Sequence, residues 1–169
     1  IEKEKSYEKV PLYKNLVVIL GHNVNPALIV TQSICTDKII LLFTEKNRKQ
    51  LEKVFLPTIN KEMPDAVVEF LELDYTDHDS NFAKIAEALG SIDDKDNTLC
   101  DITGGKKIIS TQLGIVASRL GIDICYIDSS DYLANSATPE PGNESLYIHY
   151  SGKEQIHEIS LKDENMLVL

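Results

Sequence analysis

The sequence predicts a doubly wound α/β fold, with a mainly parallel sheet, helices on both faces and a β-hairpin at the C-terminal end. Short β-rich runs alternate with longer helical patterns over residues 14–128, which is typical of βαβ units. The runs LVVIL and KIILLF are apolar throughout, as are central strands that helices cover on both faces. A length of 169 residues, 43% of them hydrophobic, is enough for one domain with its own core.

Five strands and four helices make up this predicted sheet. The strands are expected at 16–20, 38–43, 67–73, 98–102 and 122–127. The helices are expected at 26–34, 45–59, 81–89 and 106–120. Asn25 and Pro26 suit a helix cap and its first turn, while Gly90 and Gly121 suit helix ends. The elements therefore follow the order of a Rossmann-like fold.

The rest of the chain differs in composition. Residues 129–144, SSDYLANSATPEPGNE, are rich in Ser, Asn and Pro and predict a long loop. Alternating runs at 145–150 and 155–161 flank Ser151 and Gly152 and predict a hairpin appended to the sheet. We therefore divide the chain into a lead-in at 1–13 and a single domain at 14–169 with its core at 14–128.

The charge of the chain limits its partners. Lys and Arg number 17 and Asp and Glu number 27, which gives a net charge of -10. This charge repels phosphate backbones, so we expect no general DNA or RNA binding, and an anionic ligand needs a local site. The three cysteines, Cys35, Cys100 and Cys125, lack metal-type spacing and predict buried, reduced thiols. We expect no metal site and no cofactor.

The beginning of the chain is charged and has no core of its own. No apolar run approaches the roughly 20 residues of a membrane span, and no signal-peptide pattern is present. The chain starts at Ile1 without a methionine, and IEKEKSYEKV is compatible with a helical linker. We therefore expect a further segment before Ile1.

Two glycine-containing loops are expected to form the binding site. In an open doubly wound sheet, ligands bind outside the carboxyl ends of the strands, where the winding direction reverses. With the strand order 3-2-1-4-5, this point lies between strands 1 and 4. The loop GHNVNP at 21–26 follows strand 1, and TGGKK at 103–107 follows strand 4. The topology predicts that these two loops meet.

The composition of TGGKK favours an anion site. Gly104 and Gly105 allow a close approach of the backbone to a phosphate, and Thr103 can cap the helix or donate its hydroxyl. Lys106 and Lys107 add positive charge at a helix start, where N–H groups are unpaired. The plainer alternative is a tight turn followed by two solvated lysines.

Two familiar nucleotide-binding motifs are absent. A Walker A loop needs GxxxxGK[ST], and the sequence after strand 4 lacks both the spacing and the hydroxyl that follows the lysine. A dinucleotide fingerprint needs GxGxxG after strand 1, where GHNVNP has one glycine. Glu45 could imitate the ribose-binding acid, but nothing else supports an NAD enzyme.

Three stretches together resemble the CARF domain, the CRISPR-associated Rossmann fold. They are GHNVNPALIV after strand 1, LLFTEKNRKQLEKV from strand 2 onward, and DITGGKK at the start of helix 4. The similarity spans about residues 14–128, and position 106, often threonine in the family, is lysine here. The resemblance implies a homodimer that binds a cyclic oligoadenylate, the second messenger of type III CRISPR complexes, with cyclic tetra-adenylate favoured.

The resemblance also implies a set of ligand-binding residues. By position in the motifs, the ring is expected to contact Gly21, His22, Asn23, Asn25, Thr44, Thr103, Gly104, Gly105, Lys106 and Lys107. CARF domains relay binding to an attached effector, and the expected arrangement here is a cytoplasmic domain that a preceding segment anchors to the cell membrane. No catalytic residue is assigned. The alternatives are a ring nuclease, with His22 as base and a lysine stabilising charge, or an unrelated nucleotide-binding domain.

The acidic stretch DYTDHDS is the remaining candidate for a metal site. Asp74, Asp77, His78 and Asp79 bring together residue types that bind metals. The favoured interpretation is a solvated loop in which Asp79 or Ser80 caps helix 3. Beside the two glycine loops, Tyr126, Asp128 and Ser129 at the end of strand 5 are candidate contacts to an adenine.

Overall fold

The computed structural model of the protein describes residues 11–34, 36–129 and 144–161. Seven strands form one sheet in the order β3-β2-β1-β4-β5-β6-β7. They are β1 (Asn15–Ile19), β2 (Lys38–Thr44), β3 (Val67–Leu73), β4 (Thr98–Asp101), β5 (Asp123–Ser129), β6 (Glu144–His149) and β7 (Ile156–Ser160). The first five strands are parallel, and β6 and β7 are antiparallel. The predicted strand order and the appended hairpin are confirmed.

The helices agree with the predicted pattern in number and place. α1 spans Asn25–Ser33, α3 spans His78–Gly90 and α4 spans Lys107–Arg119. Between β2 and β3, α2 is a continuous helical segment made of a 3-10 turn (Glu45–Asn47), an α turn (Arg48–Gln50), a π turn (Leu51–Phe55) and an α-helix (Leu56–Glu62). A short 3-10 turn, Lys95–Asn97, precedes β4.

The helix predicted at 45–59 is confirmed as a helical segment, but its turns are not all of the α type. The π turn lies directly before Pro57, and the N–H of Leu56 donates to the carbonyl of Leu51 five residues earlier. Proline has no N–H to donate, and its ring clashes with the carbonyl four residues before it. A wider turn at this point accommodates the ring without ending the helix.

Two hydrophobic cores lie on opposite faces of the sheet. Leu16 and Val18 of β1 belong to the core that includes Val30 of α1 and Phe55 of α2. The alternate residues of β1 belong to the other core, with Ile85 of α3 and Leu113 of α4. Because successive strand residues point to opposite faces, an unbroken apolar strand is what two covering layers require. The prediction of helices on both faces is confirmed.

Two helix caps differ from their prediction. Asn25 is the first residue of α1 rather than its cap, and the side-chain oxygen of Asn23 accepts its N–H at 3.1 Å. In α3 the cap is Asp77, which accepts the N–H of Ser80 at 3.0 Å. The N-cap position of α1 belongs to Val24, which makes no side-chain cap, whereas α3 is capped by a side chain two or three residues earlier than expected.

Some predictions fall on parts of the chain that the structure leaves undescribed. These are Cys35, the lead-in at 1–10 and most of the loop at 129–144. Within the described ranges, no helix has the length and apolar character that crossing a membrane requires.

Candidate anion-binding cleft

The two predicted loops meet at the carboxyl ends of β1 and β4, which are neighbours in the sheet. A Cβ atom added to Gly21 would lie 2.8 Å from the backbone nitrogen of Gly105. One added to Gly104 would lie 2.4 Å from the carbonyl oxygen of Ile19. Gly105 also has a φ of 81°, in the left-handed region that favours glycine. The glycines are thus required by the contact between the loops, whatever the loops bind.

A buried carboxyl group fixes the start of the second loop. Asp101, the last residue of β4, is fully buried, and one of its oxygens accepts both the N–H of Thr103, at 3.1 Å, and the Thr103 hydroxyl. The same hydroxyl accepts the N–H of Ile127 in β5 at 2.7 Å. The hydroxyl of Thr103 is therefore occupied by the fold, and the N-cap position of α4 belongs to Lys106 instead.

Burial also changes the acidity of this carboxyl group. Desolvation raises the pKa of Asp101 to about 7, although the hydrogen bonds from Thr103 oppose the rise. Its second oxygen, Oδ2, is buried and has no hydrogen-bond partner among the described residues. A neutral carboxylic acid costs less to bury than a carboxylate. Burial, with Asp101 nearby, likewise raises the pKa of the Cys125 thiol.

A cleft of about 320 Å³ opens beside the meeting point of the loops. Five of the ten residues expected to bind the ligand line it: Gly21, His22, Thr44, Gly105 and Lys106. Its apolar lining comes from the strand ends and α4: Ile19, Leu20, Phe43, Leu73 and Ile109. Three further polar or aromatic residues line it without having been predicted: Lys46, Asn47 and Tyr75. The cleft therefore combines an apolar floor with a cationic rim.

The other five residues of the predicted set lie outside this lining. Asn23 holds the first turn of α1, Thr103 is bonded to Asp101, and Gly104 packs against Ile19. Asn25 and Lys107 are exposed at the first positions of α1 and α4. A direct contact of these five with a ligand remains a prediction.

Tyr75 joins two lysines across the cleft. The ammonium nitrogen of Lys46 lies 3.7 Å from the centroid of the Tyr75 ring, and that of Lys106 lies 4.2 Å from it. Lys106 also donates to the backbone carbonyl of Tyr75 at 3.0 Å. Nearby, the Thr44 hydroxyl donates to the side-chain oxygen of Asn47 at 3.0 Å. These contacts connect the loops after β2, β3 and β4.

Sequence reasoning missed Lys46, Asn47 and Tyr75 because they follow strands other than those at the switch point. A signal was nevertheless present, since Lys46 and Tyr75 each come two residues after the end of a parallel strand. Side chains that follow parallel strands converge at one edge of the sheet. Applying this rule to every strand end would have found them.

Like most lysines of the described residues, the two lysines of the cleft have no carboxylate partner, but these two meet at one aromatic ring. Among the described residues, neither Lys46 nor Lys106 pairs with a carboxylate. Three other cations do, within 4.0 Å: Arg48 with Glu45 and Glu72, Lys38 with Glu69, and Lys14 with Asp94. In a chain with a net charge of -10, the cleft is therefore a local concentration of uncompensated positive charge.

The acidic stretch after β3 has a structural role. Asp74 accepts the N–H groups of Thr76 and Asp77, which lower the pKa of its carboxyl group. Asp77 caps α3, and the side chain of Gln112 donates to the carbonyl of His78 at 2.7 Å. In the part of the chain that the structure describes, no group of three potential metal ligands comes together.

No protein-family model and no curated protein sequence matches the chain. Solved structures that share its fold include three proteins with 12% to 16% identity to this chain. Can2 from Sulfobacillus thermosulfidooxidans in complex with cyclic tetra-adenylate aligns over 86% of this chain with a TM-score of 0.64 and 16% identity. Csm6 from Enterococcus italicus, bound to cyclic hexa-2'-fluoro-hexa-dAMP, aligns over 72% with a TM-score of 0.59 and 15% identity. Protein VC1899 from Vibrio cholerae aligns over 89% with a TM-score of 0.67 and 12% identity.

The chain spans only 34% to 36% of the length of these three proteins. At such low identities the likeness concerns the fold, and two of the three neighbours were solved with a cyclic oligonucleotide bound. The seven-stranded Rossmann-like fold predicted from the sequence is thus one that known cyclic-oligonucleotide-binding proteins contain.

Proposed function

We propose that this domain is a CARF-type sensor that binds a cyclic oligoadenylate, most favourably cyclic tetra-adenylate, across a homodimer. The observation that carries the proposal is the cleft at the carboxyl ends of the strands, where Lys46 and Lys106 supply positive charge without carboxylate partners. The fold shared with Can2 and Csm6, both solved with cyclic oligonucleotides, supports the same ligand class.

The lining of the cleft suits a nucleotide rather than a simple anion. Phe43, Leu73 and Ile109 offer apolar surface of the kind that a purine covers. The side-chain NH₂ group of Asn47 can donate to the edge of a base, while its oxygen accepts the Thr44 hydroxyl. Lys106 stands at the start of α4, where unpaired N–H groups add to its attraction for a phosphate. A ring of alternating bases and phosphates matches both parts of the cleft.

We place the dimer contact on the exposed face of α4. Ile108 and Ile115, seven residues apart and so on one helix face, are 39% and 40% exposed. Ile115 itself lines a groove of about 550 Å³, together with Ile102, Gly114, Arg119 and the hydroxyl residues Ser110, Thr111 and Ser118. A second copy of the chain would cover this apolar face and bring two clefts to one ligand. In the proposed function, ligand binding is relayed to an effector or membrane segment in type III CRISPR antiviral defence.

The first experiment is calorimetric titration of the purified domain with cyclic tri-, tetra- and hexa-adenylate, followed by chromatography of the products. Tight binding of one ring per two chains is the expected result, with cyclic tetra-adenylate preferred. Recovery of the intact ring distinguishes a sensor from a ring nuclease, which would leave linear fragments. Absence of binding to all three rings would refute the proposal.

The dimer contact is tested separately by Ile115→Glu. A charge at the centre of an apolar interface is costly to bury, so we expect the variant to be monomeric in analytical ultracentrifugation while the wild type is a dimer. Val54→Glu is the matched control, because Val54 is 42% exposed but lies in α2, on the opposite face of the sheet. A dimer that persists in Ile115→Glu and dissociates in Val54→Glu would move the contact to the other face.

A further inference from the structure

We propose that Lys46 is a second phosphate-binding residue of the cleft and that Tyr75 positions both lysines there. The proposal rests on the proposed function for the identity of the ligand. It concerns two residues that neither the glycine loops nor the family resemblance assigned to the site. The loops after β2, β3 and β4 would then each contribute one residue to holding the anion.

The geometry brings two like charges to one aromatic ring. The ammonium nitrogens of Lys46 and Lys106 lie 3.7 Å and 4.2 Å from the centroid of the Tyr75 ring. They are therefore within about 8 Å of each other, the distance over which physiological salt screens charge. Like charges at this separation still repel. The negative face of the ring offsets the repulsion, and a phosphate between the two would remove it.

The surroundings do not supply another partner for Lys46. In the described part of the chain it makes no ion pair, although Glu45 precedes it and Arg48 binds Glu45 at 2.8 Å. The acid nearest in sequence is thus taken by a neighbouring cation. Lys46 extends instead toward Tyr75, at the rim of the cleft. A lysine that only served solubility would gain nothing from approaching a second lysine.

Tyr75 itself has few structural ties. Its side chain is 37% exposed, it follows β3 in the acidic loop, and Lys106 donates to its backbone carbonyl at 3.0 Å. Its ring contacts both ammonium groups. The ring rather than the hydroxyl carries the interaction, so Tyr75→Phe should preserve it and Tyr75→Leu should remove it.

The test titrates cyclic tetra-adenylate into Lys46→Gln at several salt concentrations. We expect an affinity about tenfold lower than that of the wild type, from the loss of one charge-assisted contact. The slope of log K against log salt should fall by about 0.7, the value for one phosphate contact in a single strand. Lys49→Gln is the matched control, since Lys49 is exposed in the same helical segment and does not line the cleft.

Tyr75 is tested by a measurement that a merely structural role would not change. The ring should shift the NMR signals of the terminal methylene protons of Lys46 and Lys106 upfield. Tyr75→Leu should abolish these shifts and weaken binding about fivefold, and Tyr75→Phe should restore both. Loss of binding in Tyr75→Leu with unchanged lysine signals would overturn the positioning role.

A second probe separates this inference from the proposed function. If the wild type binds none of the three cyclic oligoadenylates, the same variants are titrated with inorganic tripolyphosphate, a polyanion without bases. Weaker tripolyphosphate binding by Lys46→Gln than by Lys49→Gln would support the inference although the ligand assignment had failed. Equal affinities of these two variants for whichever probe the wild type binds would overturn the inference, as would a wild type that binds neither probe.

Discussion

The two halves of the stretch DITGGKK differ in what their polar groups do. In the first half, Asp101 and Thr103 bond to each other, and the Thr103 hydroxyl also accepts an N–H from the neighbouring strand at 2.7 Å. In the second half, the ammonium group of Lys106 contacts the ring and the carbonyl oxygen of Tyr75 and, in the described parts of the chain, pairs with no carboxylate. We call residues 101–104 the closed half, because their polar side chains bond within the fold, and residues 105–107 the open half, which lies beside the cleft.

The difference separates the residues that build the site from those that can bind a ligand. A buried polar group must find its partner inside the fold, so the hydroxyl of Thr103 has no capacity to spare for an anion. A cation held by a ring and a carbonyl gains much more from a phosphate. In this comparison Asp101 and Thr103 build the loop, whereas Gly105 and Lys106 line the cleft.

The largest expected effect is a loss of ligand affinity when the lysines of the open half are replaced. Replacing Lys106 and Lys107 by glutamate should lower the affinity for cyclic tetra-adenylate at least a hundredfold, because two attractive charges become repulsive. Lys106 lines the cleft and Lys107 does not, so Lys106→Glu alone should account for most of the loss. Calorimetry measures the affinity, and circular dichroism checks that the fold is retained. An equal loss in Lys107→Glu alone would extend the open half beyond the cleft.

The second prediction concerns the closed half. An alanine Cβ at position 104 would lie 2.4 Å from the carbonyl oxygen of Ile19, which is backbone and cannot rotate away. We expect Gly104→Ala to lower the free energy of unfolding by about 2–3 kcal/mol in a urea titration. Gly90→Ala is the control. A Cβ atom added to Gly90, the last residue of α3, would meet no other group within 4 Å, so the effect on the free energy of unfolding should be within about 1 kcal/mol. Similar effects of the two substitutions would show that the loops can separate.

The fold could be predicted from sequence because its signals are local and repeated. Continuous apolar strands, helical periodicity and glycines at helix ends all indicate the same topology. The sheet order and the meeting of the two loops followed from the rule for ligand sites in doubly wound sheets. The π turn before Pro57 was not predicted, because a helical pattern in the sequence does not distinguish an α turn from a π turn.

The residues of the cleft were harder to predict than the fold, because five of the ten expected residues do not line it and three that do were not expected. A sequence motif shows which residue types lie together but does not show where a hydroxyl finds its partner. Thr103 was expected at the ligand, yet its hydroxyl donates its one proton to Asp101 and accepts the N–H of Ile127, 24 residues away. Tyr75 lies 31 residues from Lys106 and carries no motif of its own. Contacts between separate loops of this kind become visible only when the strands are aligned in space.

A smaller effect is expected at the hydroxyl that closes the first half. Thr103→Val keeps the shape of the side chain but leaves the N–H of Ile127 without its acceptor. We expect the free energy of unfolding to fall by about 1–3 kcal/mol in urea. Thr111→Val is the control, because the exposed Thr111 hydroxyl donates only within its own helix, to the carbonyl of Lys107 at 2.8 Å. If both valines were equally tolerated, the closed half would not depend on this hydrogen bond.

The most gradual effect is the pH dependence of the closed half, which is spread over about three pH units. Burial raises the pKa of Asp101 to about 7, whereas the unfolded chain has the ordinary value near 4. Between these two values the folded state holds a proton that the unfolded state has lost. The free energy of unfolding should therefore fall as pH rises from about 4 to about 7, by at most about 1.4 kcal/mol per pH unit. Urea titrations across this range measure the slope.

Asp101→Asn distinguishes this carboxyl group from the others in the chain. The asparagine retains an oxygen that can accept from Thr103 and cannot lose a proton, so its slope between pH 4 and 7 should be smaller than that of the wild type. Asp74, whose pKa is lowered by its hydrogen bonds, acts only below this window and with the opposite sign. A variant with the wild-type slope would mean that Asp101 is ionised in its buried site. The closed half would then hold a negative charge beside the lysines of the open half, and the two halves would be coupled electrostatically.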